Sequence, residues 1–234
     1  MIPWIELAKA PIPGGGELRL MRRGAEFSIR LGVNELMNSR LGGSEEALAA
    51  LACAKIRERA RPRVLIGGLG MGFTLRAALA ALGADARIEV AELIPAVAQW
   101  AEGEMAEIFA GSLRDPRVRM ELTDVAELIG ASSAAYDAIL LDVDNGPDGL
   151  TRQANDRLYE ARGLAKARAA LRPGGVLAVW SSGPDRRFTQ RLRDAGFATE
   201  EIASRARGAR GGARHVVWIA TRPADARKGA PPTR

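Results

Sequence analysis

From Arg63 onward the chain alternates short, mainly apolar runs with longer stretches of helical composition. Val64-Leu-Ile66, Ile88-Glu-Val90, Ala138-Ile-Leu-Leu141 and Val176-Leu-Ala-Val179 are the apolar runs, rich in β-branched side chains. Runs of this kind suit strands buried on both faces, and their alternation with helices predicts a parallel sheet covered on both sides. Phe197 to Ile202 and His215 to Ala220 predict two more strands, joined by an Arg/Gly-rich loop. Upstream, the segment from Glu17 to Val33 alternates apolar and polar positions on either side of Arg23-Gly24, the pattern of a β-hairpin. Gly42-Gly43-Ser44-Glu45-Glu46 then opens a helix that continues to about Arg59, with Ser44 expected as the N-cap and two acids in the first turn. No internal repeat is apparent.

A chain of 234 residues supports one main core with at most a small accessory. The expected division is a small β-hairpin region over residues 1–43, an α/β domain over 44–222, and a basic tail over 223–234 with the composition of a disordered segment. Apolar residues make up 47% and charged residues 26%, which excludes the disordered and fibrous classes. No apolar stretch is long enough for a membrane span, and Met1-Ile-Pro-Trp4 lacks the start of a signal peptide, so a cytoplasmic, membrane-free protein is expected. One cysteine and one histidine exclude an internal disulfide and multi-thiolate or His-rich metal chemistry, and no metal is expected. Cys53 lies in an apolar helical run and reads as a buried residue rather than a reactive thiol.

The net charge of +6 changes meaning once located. The segment from Ala203 to the end carries +7, leaving the rest at −1. The body is therefore not basic, and nucleic acid is disfavoured as a partner, although the Arg205 to Arg214 loop could steer an anion or RNA.

Candidate chemistry gathers at the ends of the predicted strands. Gly67-Gly68-Leu69-Gly70-Met71-Gly72 follows the first buried strand and precedes a helix, where glycine lets the backbone turn sharply and approach a ligand. Counted from Gly68, the sixth position of a dinucleotide fingerprint is Phe73, whereas Gly68, Gly70 and Gly72 alternate intact. This spacing favours a nucleoside without a pyrophosphate over NAD or FAD. Glu92 ends the next strand, where an acid can accept both ribose hydroxyls. Asp124 is expected to end a third strand, within reach of an adenine amino group. Asp142 ends Tyr136-Asp-Ala-Ile-Leu-Leu141, with Asp144 two residues on. Carboxylates at successive strand ends mark the rim where open α/β sheets bind ligands. Tyr159 and Trp180 are candidates for pocket walls, with core packing the competing reading.

Val64-Leu-Ile-Gly-Gly-Leu-Gly-Met-Gly-Phe-Thr-Leu-Arg76, Glu92, Asp115-Pro-Arg-Val118, Asp124, Tyr136 to Asp142 and Leu171-Arg-Pro-Gly-Gly-Val176 together resemble the spermidine synthase branch of the class I methyltransferase superfamily. Trp4-Ile-Glu6, the hairpin, and Asn34-Glu35-Leu-Met-Asn-Ser-Arg40 followed by Glu45-Glu46 are similar to that branch's N-terminal β domain. The resemblance implies a Rossmann-like fold with a mostly parallel seven-stranded sheet, one strand reversed, and homodimers, which are common in the family. It further implies that Gly68, Gly70, Met71 and Gly72 line the cofactor, that Glu92 holds the ribose and Asp124 the adenine, and that Asp142 orients or deprotonates an attacking amine. Two positions depart from the family. Met71 replaces an aspartate that helps hold the aminopropyl ammonium, and Val143-Asp144-Asn145-Gly146-Pro147 replaces Ser-Ser-Asp-Pro, which leaves Asp144 as a second catalytic candidate.

The expected function is a transferase with a small acceptor, an amine by resemblance, using S-adenosylmethionine or its decarboxylated form. Met71 inclines the expectation toward methyl transfer from S-adenosylmethionine, with aminopropyl transfer the alternative. Two further readings stand beside it: an RNA- or protein-directed methyltransferase, and a non-catalytic binding protein of the same fold.

Overall fold

The computed structural model describes residues 2–13, 15–143 and 157–224. Asp144, Asn145-Gly146-Pro147 and the tail from Asp225 lie outside the described residues.

Four strands, β1 (Ile5–Pro11), β2 (Glu17–Arg23), β3 (Glu26–Leu31) and β4 (Asn34–Asn38), form an antiparallel sheet in sequence order. The hairpin expected between Glu17 and Val33 is its centre, β2 and β3, paired from Leu18 with Leu31 to Arg23 with Glu26. The outer strands carry weak sequence alternation because both are half-exposed edges.

The second sheet has seven strands, β5 (Arg63–Gly67), β6 (Arg87–Ala91), β7 (Val118–Glu121), β8 (Tyr136–Leu141), β9 (Leu171–Ser181), β10 (Ala198–Arg205) and β11 (Arg214–Thr221), in the order β10-β11-β9-β8-β5-β6-β7. β11 is the reversed strand, antiparallel to both β10 and β9. The helices are α1 (Gly43–Ile56), α2 (Phe73–Ala81), α3 (Pro95–Glu102), α4 (Ala106–Phe109), α5 (Val125–Gly130), α6 (Ala161–Ala170) and α7 (Arg186–Asp194). This is the α/β class I methyltransferase fold with an additional N-terminal sheet.

Successive strand residues point to opposite faces, and the core divides accordingly. Val64 and Ile66, Ala138 and Leu140, Val176 and Ala178, and Val217 and Ile219 join α1, α2 and α3 in one cluster. Leu65, Ile139, Leu141, Leu177, Val179 and Trp218 join α5, α6 and α7 in the other. The first cluster also takes in Leu18, Leu20, Phe27 and Ile29, so the N-terminal sheet shares a core with α1 to α3. Cys53 is buried there, as expected, and burial pushes its thiol up to about 12.

Ser44 is not the N-cap of α1. The helix starts two residues earlier than such a cap would give, at Gly43; Gly42 occupies the cap position without a side-chain bond, and the last turn ends at Ile56 rather than near Arg59. The cause is close docking: the Gly43 amide donates to the Ala206 carbonyl at 2.9 Å, and a Cβ on Gly43 would collide with the Gly208 backbone. The backbone of the 205–214 loop thereby seats the start of α1, and the Ser44 side chain is freed for another use.

At the opposite rim, Asp137 is buried and accepts from Arg59 Nη1 at 2.6 Å, Arg172 Nη1 at 2.8 Å and the Arg63 amide at 2.8 Å. One carboxylate thus ties together the residue beyond α1 and the starts of β5 and β9. Among the described residues, no helix is long and apolar enough to cross a membrane.

Candidate active site

The carboxyl ends of β5, β6, β7 and β8 converge on one rim, and hydrogen bonds extend the ladders past the strands. The Gly68 amide donates to the Ala91 carbonyl, Glu92 to Glu121, and Asp142 to Gly67, each at 2.9 Å. Gly68 has φ of +90°, and a Cβ there would collide with the Asp142 carbonyl oxygen. Only glycine lets the loop lie this close to the end of β8.

Two connected cavities open above this rim, beneath a roof from the N-terminal sheet. The first is a cleft at the ends of β5, β6 and β8. Gly68, Gly70, Glu92, Ile94, Thr123, Asp124 and Asp142 form its floor and sides, and Ile12, Leu18 and Leu31 its roof. Glu92 is buried: Oε2 accepts from the Leu69 amide at 3.0 Å and Oε1 from the Ile94 amide at 2.9 Å, so it also fixes the glycine loop. Asp124 does not end β7, which stops at Glu121. It is instead the N-cap of α5, with Oδ1 accepting from the Ala126 amide at 2.8 Å, and it still lines the cleft. Capping explains the shift, since a short-chain acid is favoured where the first helical amides need an acceptor.

The second cavity shares Leu36, Met37, Gly70 and Asp142 with the first and extends to Asn38, Glu45, Leu69, Met71, Phe73 and Trp180. Asp142 sits at the junction, densely surrounded by protein yet partly open to the cavity. Burial, with the charge of Glu45 adding to it, pushes its carboxyl up to about 7 against an opposing 2.6 Å bond from Thr74 Oγ1 to Oδ2. The Glu45 carboxyl is likewise raised by burial, opposed by a bond from Ser44. Met71 is buried in the wall. Gly72 is the cap residue of α2 and lines neither cavity.

Most of the sequence-predicted residues therefore meet: Gly68, Gly70, Met71, Glu92, Asp124 and Asp142 line the joined cavities, while Asp144 lies outside the described residues. Trp180 is a pocket wall, whereas Tyr159 packs edge-on against Phe188 in the core, its hydroxyl 3.4 Å from the Val143 carbonyl. The Asp115-Pro-Arg-Val118 motif is structural. Arg117 grips Asp115 through paired bonds and caps the Leu79 and Leu82 carbonyls, and this holds the Asp115 carboxyl well below the usual range. Sequence reasoning missed Glu45 as a site residue and gave His215 no role. The signal for Glu45 was present: it precedes buried Leu48, Ala49 and Ala52 by three, four and seven residues, so it lies on the inward stripe of α1.

No protein-family profile matches the chain. The polyamine aminopropyltransferase of Mycobacterium tuberculosis is 30% identical over 158 residues, which are 64% of this chain and 29% of that protein. Its counterpart from Korarchaeum cryptofilum is 31% identical over 121 residues, 52% of this chain and 36% of that one. The chain thus spans about a third of the length of the curated relatives it matches. Among solved structures, spermidine synthase from Thermotoga maritima superposes with a TM-score of 0.75 at 17% identity, covering 94% of this chain and 74% of that one. A Burkholderia thailandensis 1,6-didemethyltoxoflavin-N1-methyltransferase superposes with a TM-score of 0.53 at 23% identity, covering 77% and 78%. In sequence the chain resembles polyamine aminopropyltransferases over part of their length, and its fold is that of spermidine synthases, the class I methyltransferase fold.

Proposed function

We propose that the protein transfers an aminopropyl group from decarboxylated S-adenosylmethionine to a small amine. The observation that carries this reading is the charge of the joined cavities. Their described lining holds Glu45, Glu92, Asp124 and Asp142 and no lysine, arginine or histidine side chain. Intact S-adenosylmethionine would bring its α-carboxylate into this acidic space without a cationic partner among the described residues, a desolvated like-charge placement that costs several kcal/mol. The decarboxylated form and a protonated amine bring only positive charge. The methyl-transfer expectation raised by Met71 thus gives way to its alternative, which the polyamine aminopropyltransferase relatives also favour.

Within this reading, the glycine loop and the apolar roof receive the nucleoside, Glu92 accepts from the ribose and Asp124 from the adenine amino group. The sulfonium makes its adjacent carbon electrophilic: the amine nitrogen bonds to that carbon, the carbon–sulphur bond breaks, and its electron pair leaves on sulphur as a thioether. Asp142 accepts the proton that the nitrogen must lose. With its carboxyl raised toward 7, it is poised near neutral pH, where a general base is most effective. The walls hold the reactants close and exclude bulk water, which is most of what such a displacement needs.

The test is product analysis. Purified protein with decarboxylated S-adenosylmethionine and 1,4-diaminobutane should release 5′-methylthioadenosine and an aminopropylated amine. Turnover of S-adenosylmethionine to S-adenosylhomocysteine, or tighter binding of the intact donor, would refute the reading.

A further inference from the structure

Outside the joined cavities, several buried or half-buried acids have cationic partners: Asp137 has Arg59 and Arg172, Asp115 has Arg117, and Glu89 has Arg63. In the second cavity, Glu45 and Asp142 face the same space with no ion pair to either among the described residues. The indole Nε1 of Trp180, a residue only 8% exposed in the wall of that cavity, also has no hydrogen-bond partner among the described residues. The two acids call for a cation between them, while the indole N–H, a donor only, calls for an acceptor lone pair.

Glu45 is more than a second acid, because it is held in place. Ser44 Oγ, fully buried, donates to Glu45 Oε2 at 2.6 Å and lies 2.8 Å from His215 Nδ1. A serine hydroxyl has one proton. With that proton directed at Glu45, Ser44 accepts from His215, whose Nδ1 therefore carries the hydrogen. His215 stands at the start of β11, edge-on to Trp180 with ring centroids 4.9 Å apart, and burial lowers its pKa, favouring the neutral ring. The relay runs from His215 through Ser44 and ends on the carboxylate, which stabilises its charged form.

Asp142 and Glu45 are thus suited to different tasks. A carboxylate that takes up the proton of the attacking nitrogen cannot also remain a fixed counter-charge. Glu45 lines only the second cavity, away from Glu92 and Asp124. We propose that Glu45 is the specificity-determining carboxylate of the acceptor pocket, holding an ammonium group of a diamine other than the one that attacks, with Ser44 and His215 as its positioning residues. The proposal rests on the aminopropyl-transfer reading for the identity of the reaction, but its binding claim can be tested apart from it.

The experiment uses the full chain as wild type, Glu45→Gln, Glu45→Asp and Ser44→Ala, with 1,4-diaminobutane and 1-butylamine as amines of equal chain length. Calorimetry gives the affinity for each amine and for decarboxylated S-adenosylmethionine, and steady-state assays give KM and kcat. Loss of a charge-assisted bond should weaken 1,4-diaminobutane roughly 10- to 100-fold in Glu45→Gln. Its preference over 1-butylamine should disappear, with kcat and donor affinity little changed. Glu45→Asp keeps the charge and should retain part of the preference even if Glu45→Gln folds poorly, and Ser44→Ala should fall between. A Glu45→Gln protein that still prefers the diamine overturns the proposal, as does a loss confined to donor affinity or a wild type indifferent to the second amino group. A wild type that binds the diamine through Glu45 yet transfers no aminopropyl group would support the role of Glu45 and refute the assigned reaction.

Discussion

Replacing Asp142 with asparagine should stabilise the ligand-free protein, and by an amount that depends on pH. The carboxyl is raised from 3.8 to about 7, chiefly by burial. Each unit corresponds to about 1.4 kcal/mol, so the ceiling is about 4 kcal/mol. Water reaching the partly open side chain should reduce this to about 2–3 kcal/mol. The sign follows from linkage. Because the folded-state pKa lies above the unfolded one, the charged form opposes folding. The penalty is absent below pH 4, grows between pH 4 and 7, and is complete above 7. Asparagine removes it while still accepting the bond from Thr74. Urea unfolding of wild type and Asp142→Asn from pH 4 to 8.5, without ligand, should give similar stabilities at the acid end and a more stable variant at pH 8. In thermal melts, about 2–3 kcal/mol corresponds to roughly 4–12 °C for a chain of this size. A stability difference independent of pH, or a variant less stable at pH 8, would refute the claim that Asp142 is held unfavourably charged.

Asp137→Asn should cost about 2–4 kcal/mol in urea unfolding, somewhat below a fully buried pair because Arg59 and Arg172 reach water. Glu92→Gln should weaken 5′-methylthioadenosine at least about tenfold by calorimetry. It should also lower the melting temperature without ligand, because Leu69 and Ile94 lose charged acceptors. Cys53, with its thiol pushed up to about 12, should resist a thiol-specific reagent in native buffer and react only on denaturation.

The central strands were legible because each is buried on both faces, so that Val64-Leu-Ile66 and Ala138 to Leu141 carry the pattern without help from context. β1 and β4 were not, because edge strands over a shared core leave half their residues in water. The carboxylates at strand ends were legible by position, since strand-end acids fall on the ligand rim whatever the loops do. Local chemistry misled at two points. Ser44 reads as a cap, but the glycine beside it lets the 205–214 backbone approach and leaves the hydroxyl to join His215 to Glu45. Asp124 reads as a strand end, but the first amides of α5 claim it as a cap. Glu45 stood on the buried stripe of α1, yet no local rule says what lies opposite a stripe, and the pairing with Asp142 comes from crossing connections of the sheet. The division into a 1–43 region and a 44–222 domain is a reading of composition; physically, Leu20 and Ile29 share a cluster with Leu48 and Val64.

The two cavities draw on different stretches of chain. Leu36 and Met37 reach both, but the nucleoside cleft is floored by the ends of β5, β6 and β8 and the cap of α5, whereas Asn38 and the fixed carboxylate of Glu45 line the second cavity alone. Residues 38–45, eight consecutive positions encoded together ahead of the first strand of the large sheet, thus bear on the second cavity alone. Exchanging that stretch between relatives would alter the acceptor side while leaving the lining of the nucleoside cleft in place, and divergence among such proteins could proceed by the same route.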